Sequence, residues 1–209
     1  MGLNIYTSII NRYDSLKDPE DINANYICYT DYKLKNESIW KQIIVKPKYD
    51  NTRSARYYKI NSHKFFDELN IWIDGTYTVK KVPSADVINK WLGENDIAIR
   101  THPKRNCIYE EAKVVKKMHK DRKNIVNKQI KKYKNEAYPK NNGMVNSSLI
   151  IRRNTKKVKK INEMWWNMVL NYSKRDQLSF NYVMWKLNYD YSYIPTKESN
   201  KYFNWRRKH

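Results

Sequence analysis

The chain has 209 residues, and its 42 lysines and arginines outnumber 21 acids to leave a formal charge of +21. That length suits one domain with a core of its own, and an aromatic content of 14% excludes a disordered chain. Four glycines and two cysteines exclude collagen-like repeats, glycine-rich phosphate loops, a disulfide scaffold and a zinc cluster.

In chain order, runs rich in β-branched and aromatic residues at 3–10, 26–30, 42–46, 71–73 and 97–100 predict strands. Between them, 54–66 and 83–92 carry helical spacing, with Pro83 suited to a first helical turn. From 109 to 133, Val114, Val115, Met118, Ile125, Val126, Ile130 and Tyr133 recur at helical spacing. The other faces of that segment hold most of the basic cluster 116–134. A strand at 147–151 follows, then helices at 158–172 and 177–187, a strand at 191–194 and a basic, aromatic tail at about 195–209. Strands alternating with helices predict an α/β fold with helices on both faces of a sheet. Neither an internal repeat nor a low-complexity linker interrupts the pattern, so one domain over 1–209 is expected. No apolar run approaches the roughly 18 residues of a membrane span, and the N-terminus lacks a signal-peptide pattern. Both point to a soluble, cytoplasmic protein.

Four segments carry side chains that packing does not require. Ile71-Trp72-Ile73-Asp74-Gly75-Thr76 is an apolar strand ending in an acid and a turn, which puts the carboxylate at the carboxyl edge of a sheet, where open α/β sheets bind ligands. An Asp-Gly turn closing a hairpin has the same signature. In Ala55-Arg56-Tyr57-Tyr58-Lys59-Ile60, Arg56 and Lys59 suit a diphosphate, or else the solvated side of an amphipathic helix. The segment 101–112 gathers His102, Arg105, Glu110 and Glu111 around a helix start, where the two acids also complement the helix dipole. In Arg175-Asp176-Gln177-Leu178-Ser179-Phe180, Asp176 reads as a helix N-cap or as a fixed carboxylate that orients or deprotonates a hydroxyl. The histidines His63, His102, His119 and His209 show no close ligand pairing, and no G-x-S-x-G elbow is present.

Taken in order, Tyr6-Thr7-Ser8 through Tyr13-Asp14, Tyr26-Ile27-Cys28-Tyr29-Thr30-Asp31, Ala55 to Ile60 with Ser62-His63-Lys64-Phe65-Phe66, Trp72-Ile73-Asp74-Gly75, Cys107-Ile108-Tyr109-Glu110-Glu111-Ala112 and Arg175 to Phe180 form an ordered set. The set resembles the TOD1/MUCI70 glycosyltransferase-like domain family over about residues 3–187. Related domains occur in bacteria and large DNA viruses, including enzymes thought to glycosylate virus capsid proteins. The resemblance implies a GT-A-type α/β/α sandwich with a mostly parallel central sheet. It also implies a nucleotide-sugar donor, UDP-linked, a divalent cation, Mn²⁺ or Mg²⁺, and a glycan or glycoprotein acceptor. Carried over by position, Tyr6, Thr7, Ser8 and Asp31 would hold nucleobase and ribose, and Arg56 and Lys59 would lie near the phosphates or sugar. Asp74, with Gly75 and Thr76, falls where an Asp-x-Asp metal motif belongs, but Thr76 replaces the second acid. Thr76 and His209 are the candidates to complete a metal shell. Asp176 is the candidate base for direct, inverting attack; in a retaining transfer Asp176 and Gln177 would instead orient donor and acceptor. His102, Arg105, Glu110, Glu111, Asn146 and Ser147 are expected on the acceptor side. The competing readings are a nucleic-acid-binding protein, suggested by the charge and the aromatic residues, and peripheral membrane association through 116–134 or 205–208.

Overall fold

The computed structural model describes residues 2–205. In chain order the strands are β1 (Asn4–Ile9), β2 (Asn25–Thr30), β3 (Lys41–Ile44), β4 (Leu69–Ile73), β5 (Tyr77–Val79), β6 (Ile97–Thr101), β7 (Val145–Arg153), β8 (Ser192–Ile194) and β9 (Phe203–Trp205). The helices are α1 (Asn51–Ile60), α2 (Ala85–Leu92), α3 (Ile108–Lys117), α4 (Lys123–Asn135), α5 (Lys156–Asn171), α6 (Phe180–Leu187) and α7 (Thr196–Ser199), with single 3-10 turns at Ser62–Lys64 and Asp176–Leu178. Seven strands form one sheet in the order β3-β2-β1-β4-β7-β6-β8, and β7 alone runs against the rest.

Alternation along each strand assigns side chains to the two faces. Ile5 and Ile9, Ile71 and Ile73, Ala98, Leu149 and Ile151 enter one core with Ile88, Trp91 and Leu92 of α2 and with Tyr77, Val79 and Phe203. Tyr6, Trp72, Ile97, Ile99 and Ile150 enter the other, packed against α1 and α3 to α6. The expected α/β/α sandwich with a mostly parallel sheet is present.

Local chemistry sets the helix boundaries. Asp50, Ser84 and Thr155 each accept the amide three residues on, capping α1, α2 and α5. Two expectations need correction. The helical pattern 109–133 is two helices, because His119 enters the left-handed region at φ +50° and breaks the run between α3 and α4. The Asp74-Gly75 turn closes no hairpin, since β5 pairs with β9 and not with β4. Within the basic, aromatic tail, residues 196–205 include α7 and β9, and Phe203 is fully buried. Arg100 holds this segment through Ser199 at 2.6 Å and Asn200 at 2.6 Å, and meets the Tyr77 hydroxyl at 2.8 Å.

Candidate functional site

The parallel register of β1 and β4 pairs Tyr6 with Trp72, and two-residue alternation then places Ser8 and Asp74 just beyond, on the same face. Helix α1 crosses that face and presents Asn51, Thr52, Ala55 and Arg56. Between them lies a cleft of about 440 Å³ at the carboxyl ends of β1 and β4, completed by Ile10, Asn11, Tyr13, Asp14, Trp72, Gly75, Lys120, Lys174 and Arg175. Among the described residues nothing hydrogen-bonds the Ser8 hydroxyl, although Ser8 is only 8% exposed. A buried hydroxyl at a cleft wall is a group that a ligand satisfies.

Under the cleft floor lies a buried cluster of charge. The Asp176 carboxylate accepts Arg56 Nε at 3.0 Å on one oxygen, and Lys59 Nζ and the Ser147 hydroxyl, both at 2.8 Å, on the other. Lys59 Nζ also donates to Ser147 Oγ at 2.9 Å and lies 3.4 Å from Asp74 Oδ1, which accepts Trp72 Nε1 at 2.8 Å. Burial alone would raise the Asp176 pKa, but the charges of Arg56 and Lys59 outweigh it and hold the carboxyl well below the usual range. Asp176 therefore stays ionised and, at 1% exposure, faces its partners in the cluster, an arrangement suited to orienting Arg56. It is no N-cap: its carbonyl accepts Trp165 Nε1 and Ser179 Oγ, and its carboxylate turns inward.

Other expected donor contacts divide cleanly. Ser8, Arg56, Asp74 and Gly75 border the cleft. Tyr6 does not: its ring is fully buried, and its hydroxyl bridges the Lys59 carbonyl at 3.2 Å and the Arg152 guanidinium. Thr7 points to the α2 face and is buried, and Lys59 is locked in the charge cluster. Asp31 acts one step removed, accepting the Asn11 amide on both oxygens at 3.0 and 3.1 Å. It thereby fixes the loop in which Asn11 and Arg12 take left-handed φ values. Thr76 is half-buried and outside the cleft lining; His209 lies outside the described residues.

The expected acceptor group is a separate constellation. Arg105 Nε meets Glu111 Oε2 at 2.6 Å, and His102 Nδ1 accepts the amides of Lys104 and Arg105. Burial pulls the His102 pKa down, which keeps the ring neutral at pH 7. Glu110 points to solvent with Lys113, and Asn146 turns back to the Ser148 amide. Ser147 belongs to the charge cluster, and Gln177 donates to the Val145 carbonyl at 2.9 Å.

Among the cleft residues to which the sequence assigns no role, Asp14 carries a carboxylate. A side chain at Gly75 would place its Cβ 2.9 Å from Asp14 Cβ and 3.2 Å from Asp14 Oδ2. The missing Cβ lets Asp14 lie against the Asp74 turn, so a second carboxylate enters the cleft from β1's loop, not from position 76. Among the described residues no three His, Cys, Asp or Glu side chains converge. Two hard carboxylates still suit a divalent cation of the Mg²⁺ type, which commonly takes one or two protein carboxylates and completes its shell with substrate phosphates.

The fold is of the GT-A type, as in two solved structures. Glycosyltransferase GlyE of Streptococcus pneumoniae TIGR4 superposes with a TM-score of 0.51 at 12% identity, covering 93% of this chain and 45% of that one. The bifunctional glycosyltransferase WbbM gives 0.53 at 14% identity, with 93% and 39% covered. In sequence, the chain is 24% identical over 219 residues to the probable hexosyltransferase MUCI70 of Arabidopsis thaliana, covering 89% of this chain. The chain spans 38% of that relative's length. The family described as TOD1/MUCI70, glycosyltransferase-like domain, matches residues 3–204, and the chain belongs to that family.

Proposed function

We propose that this chain transfers a sugar from a nucleotide-sugar, UDP-linked, to a glycan or glycoprotein hydroxyl. The observation that carries the reading is the cleft itself: Ser8, Arg56, Asp74 and Asp14 converge at the carboxyl ends of β1 and β4 in a chain of this family. In the reaction the bond from the sugar's anomeric carbon to the diphosphate breaks, and both electrons leave on the phosphate oxygen. The acceptor oxygen forms the new bond, and its proton passes to the departing phosphate or to water. Negative charge grows on the diphosphate as an oxocarbenium-like sugar forms, and Arg56, fixed by Asp176, lies where preorganised positive charge counters it. Asp176 and Gln177 serve to orient, since Asp176 is held ionised away from solvent. Asp74 and Asp14 would hold Mn²⁺ or Mg²⁺, which when bound supplies further charge neutralisation on the leaving diphosphate.

The test is release of nucleoside diphosphate from a panel of sugar nucleotides with Mn²⁺, with binding followed by calorimetry. Asp74→Asn is expected to lower kcat/KM by on the order of 10²-fold or more. Mn²⁺ alone should bind weakly and Mn²⁺ with UDP strongly, because the protein offers two carboxylates and the donor the rest. Failure of every nucleotide-sugar to bind, with or without metal, would sink the reading.

A further inference from the structure

Two loops far apart in sequence meet at the rim of the cleft. The first, 118–122, joins α3 to α4. His119 takes its left-handed turn there, and the Lys120 amide returns to the Val115 carbonyl at 3.0 Å, which brings Lys120 to the cleft wall. The second, 172–175, follows α5. Asp121 fastens the two together: its Oδ2 accepts the Ser173 hydroxyl at 2.7 Å and the Lys174 amide at 2.9 Å, and its Oδ1 accepts the Arg122 amide at 2.8 Å.

The fastening is built from below as well. Ser173 is fully buried, its amide donates to Gln129 Oε1 at 3.1 Å, and its Oγ accepts the Arg175 amide at 3.2 Å. Gln129, itself fully buried, donates to the Tyr133 hydroxyl at 2.6 Å. These loops are therefore held at fixed positions, and what they present is Lys120, Lys174 and Arg175 along one wall.

Like charges gathered in a cleft repel one another unless a ligand of opposite sign fills it. Among the described residues, Lys120, Lys174 and Arg175 border the cleft beside the carboxylates Asp14 and Asp74, while Arg56 is already paired with Asp176. Among the described residues neither Lys120 nor Lys174 takes part in an ion pair. A diphosphate esterified at both ends, with one charge on each phosphate, is an anion that this row of cations attracts into a cleft of about 440 Å³. We infer that Lys120, Lys174 and Arg175 form a diphosphate clamp, and that Asp121, which touches no ligand, is the positioning residue that sets it. This rests on the sugar-transfer reading and names the donor contacts within it.

Calorimetry in EDTA with inorganic pyrophosphate, UDP, GDP and uridine separates the possibilities. Lys120→Gln, Lys174→Gln and Arg175→Gln are each expected to weaken UDP and pyrophosphate by roughly tenfold, as for one lost charge-assisted contact, and to leave uridine unchanged. Asp121→Ala should erase the preference for UDP over uridine with little change in thermal midpoint, and Asp121→Asn, which keeps an acceptor oxygen, should restore part of it. If the cation variants bind UDP and pyrophosphate like wild type, or lose uridine equally, the clamp is wrong while sugar transfer stands. If pyrophosphate binds and the variants lose it, but no nucleotide-sugar binds, the clamp stands and sugar transfer falls. Wild-type protein that binds neither pyrophosphate nor any nucleotide overturns both.

Discussion

Asp176 shows what a side chain's neighbours decide that its neighbours in sequence do not. Arg175-Asp176-Gln177 marks a chemically active segment, yet the partners that define it, Arg56, Lys59 and Ser147, lie 120, 117 and 29 residues away. Sequence spacing therefore suggests a cap or a base, and only the fold turns the carboxylate into the anion that pairs with buried Lys59 and half-buried Arg56. Removing one member of such a cluster leaves the others charged and unpaired, which costs about 3–5 kcal/mol. Asp176→Asn is expected to lower unfolding free energy by that amount in urea titrations, and a loss under 1 kcal/mol would contradict the pairing. Asp14 was hidden for the opposite reason. Its role depends on a missing atom, the Cβ of Gly75, and on a loop held by Asp31, and neither has a periodic signature.

At the scale of elements, long regular segments were legible because one alternation or one helical stripe runs through them. β1, β2, β4, β6, β7, α2 and α5 fall where the apolar pattern places them. Short pieces held by tertiary contact were not. β5 and β9 have three residues each and exist because they pair with one another, while Arg100 anchors the chain between α7 and β9. The break between α3 and α4 was masked because Met118 and the flanking residues keep the apolar period while His119 departs from it in backbone angle only. Deleting residues from 196 onward would uncover Tyr77 and Val79 directly after the Asp74 turn. The shortened chain is expected to melt at a lower temperature and to bind UDP more weakly; an unchanged melting curve would show that this segment is dispensable.

For the whole molecule, the charge of +21 taken alone suggests a nucleic acid or a membrane as partner. On α4 the lysines lie opposite buried Val126, Gln129 and Tyr133, so the apolar stripe of that helix is core. No described helix is long and apolar enough to cross a membrane. So large an excess of cations makes the few carboxylates important to stability. Glu136 meets Lys132 and Lys186 and accepts the Tyr182 hydroxyl at 2.6 Å, and these contacts lower its pKa from 4.5 to about 2. Its stabilising effect is complete above pH 4.5 and is lost as pH falls toward about 2, and the depressed pKa of Asp176 acts in the same direction further into acid. Each carboxylate that protonates also adds to the self-repulsion of the chain. Urea midpoints are expected to decline gently from neutral pH to about 5, where the unfolded chain protonates histidines that burial keeps neutral in the folded one, and to drop steeply below. Glu136→Gln should lower the neutral midpoint and flatten the upper part of that drop, and a wild-type profile in that variant would contradict the assignment.

The buried cluster has a consequence for how the chain is made. Lys59 leaves the ribosome more than a hundred residues before Asp176. Until that carboxylate arrives, burying the ammonium beneath β1 and β4 is unfavourable. Arg152, which ties Tyr6 and the last carbonyls of α1 together, also arrives late. The N-terminal strands can therefore pair early during synthesis, but the floor of the cleft cannot close until Arg152 and Asp176 have emerged. A nascent chain of this protein thus gains its ligand-binding surface only after Asp176 has left the ribosome.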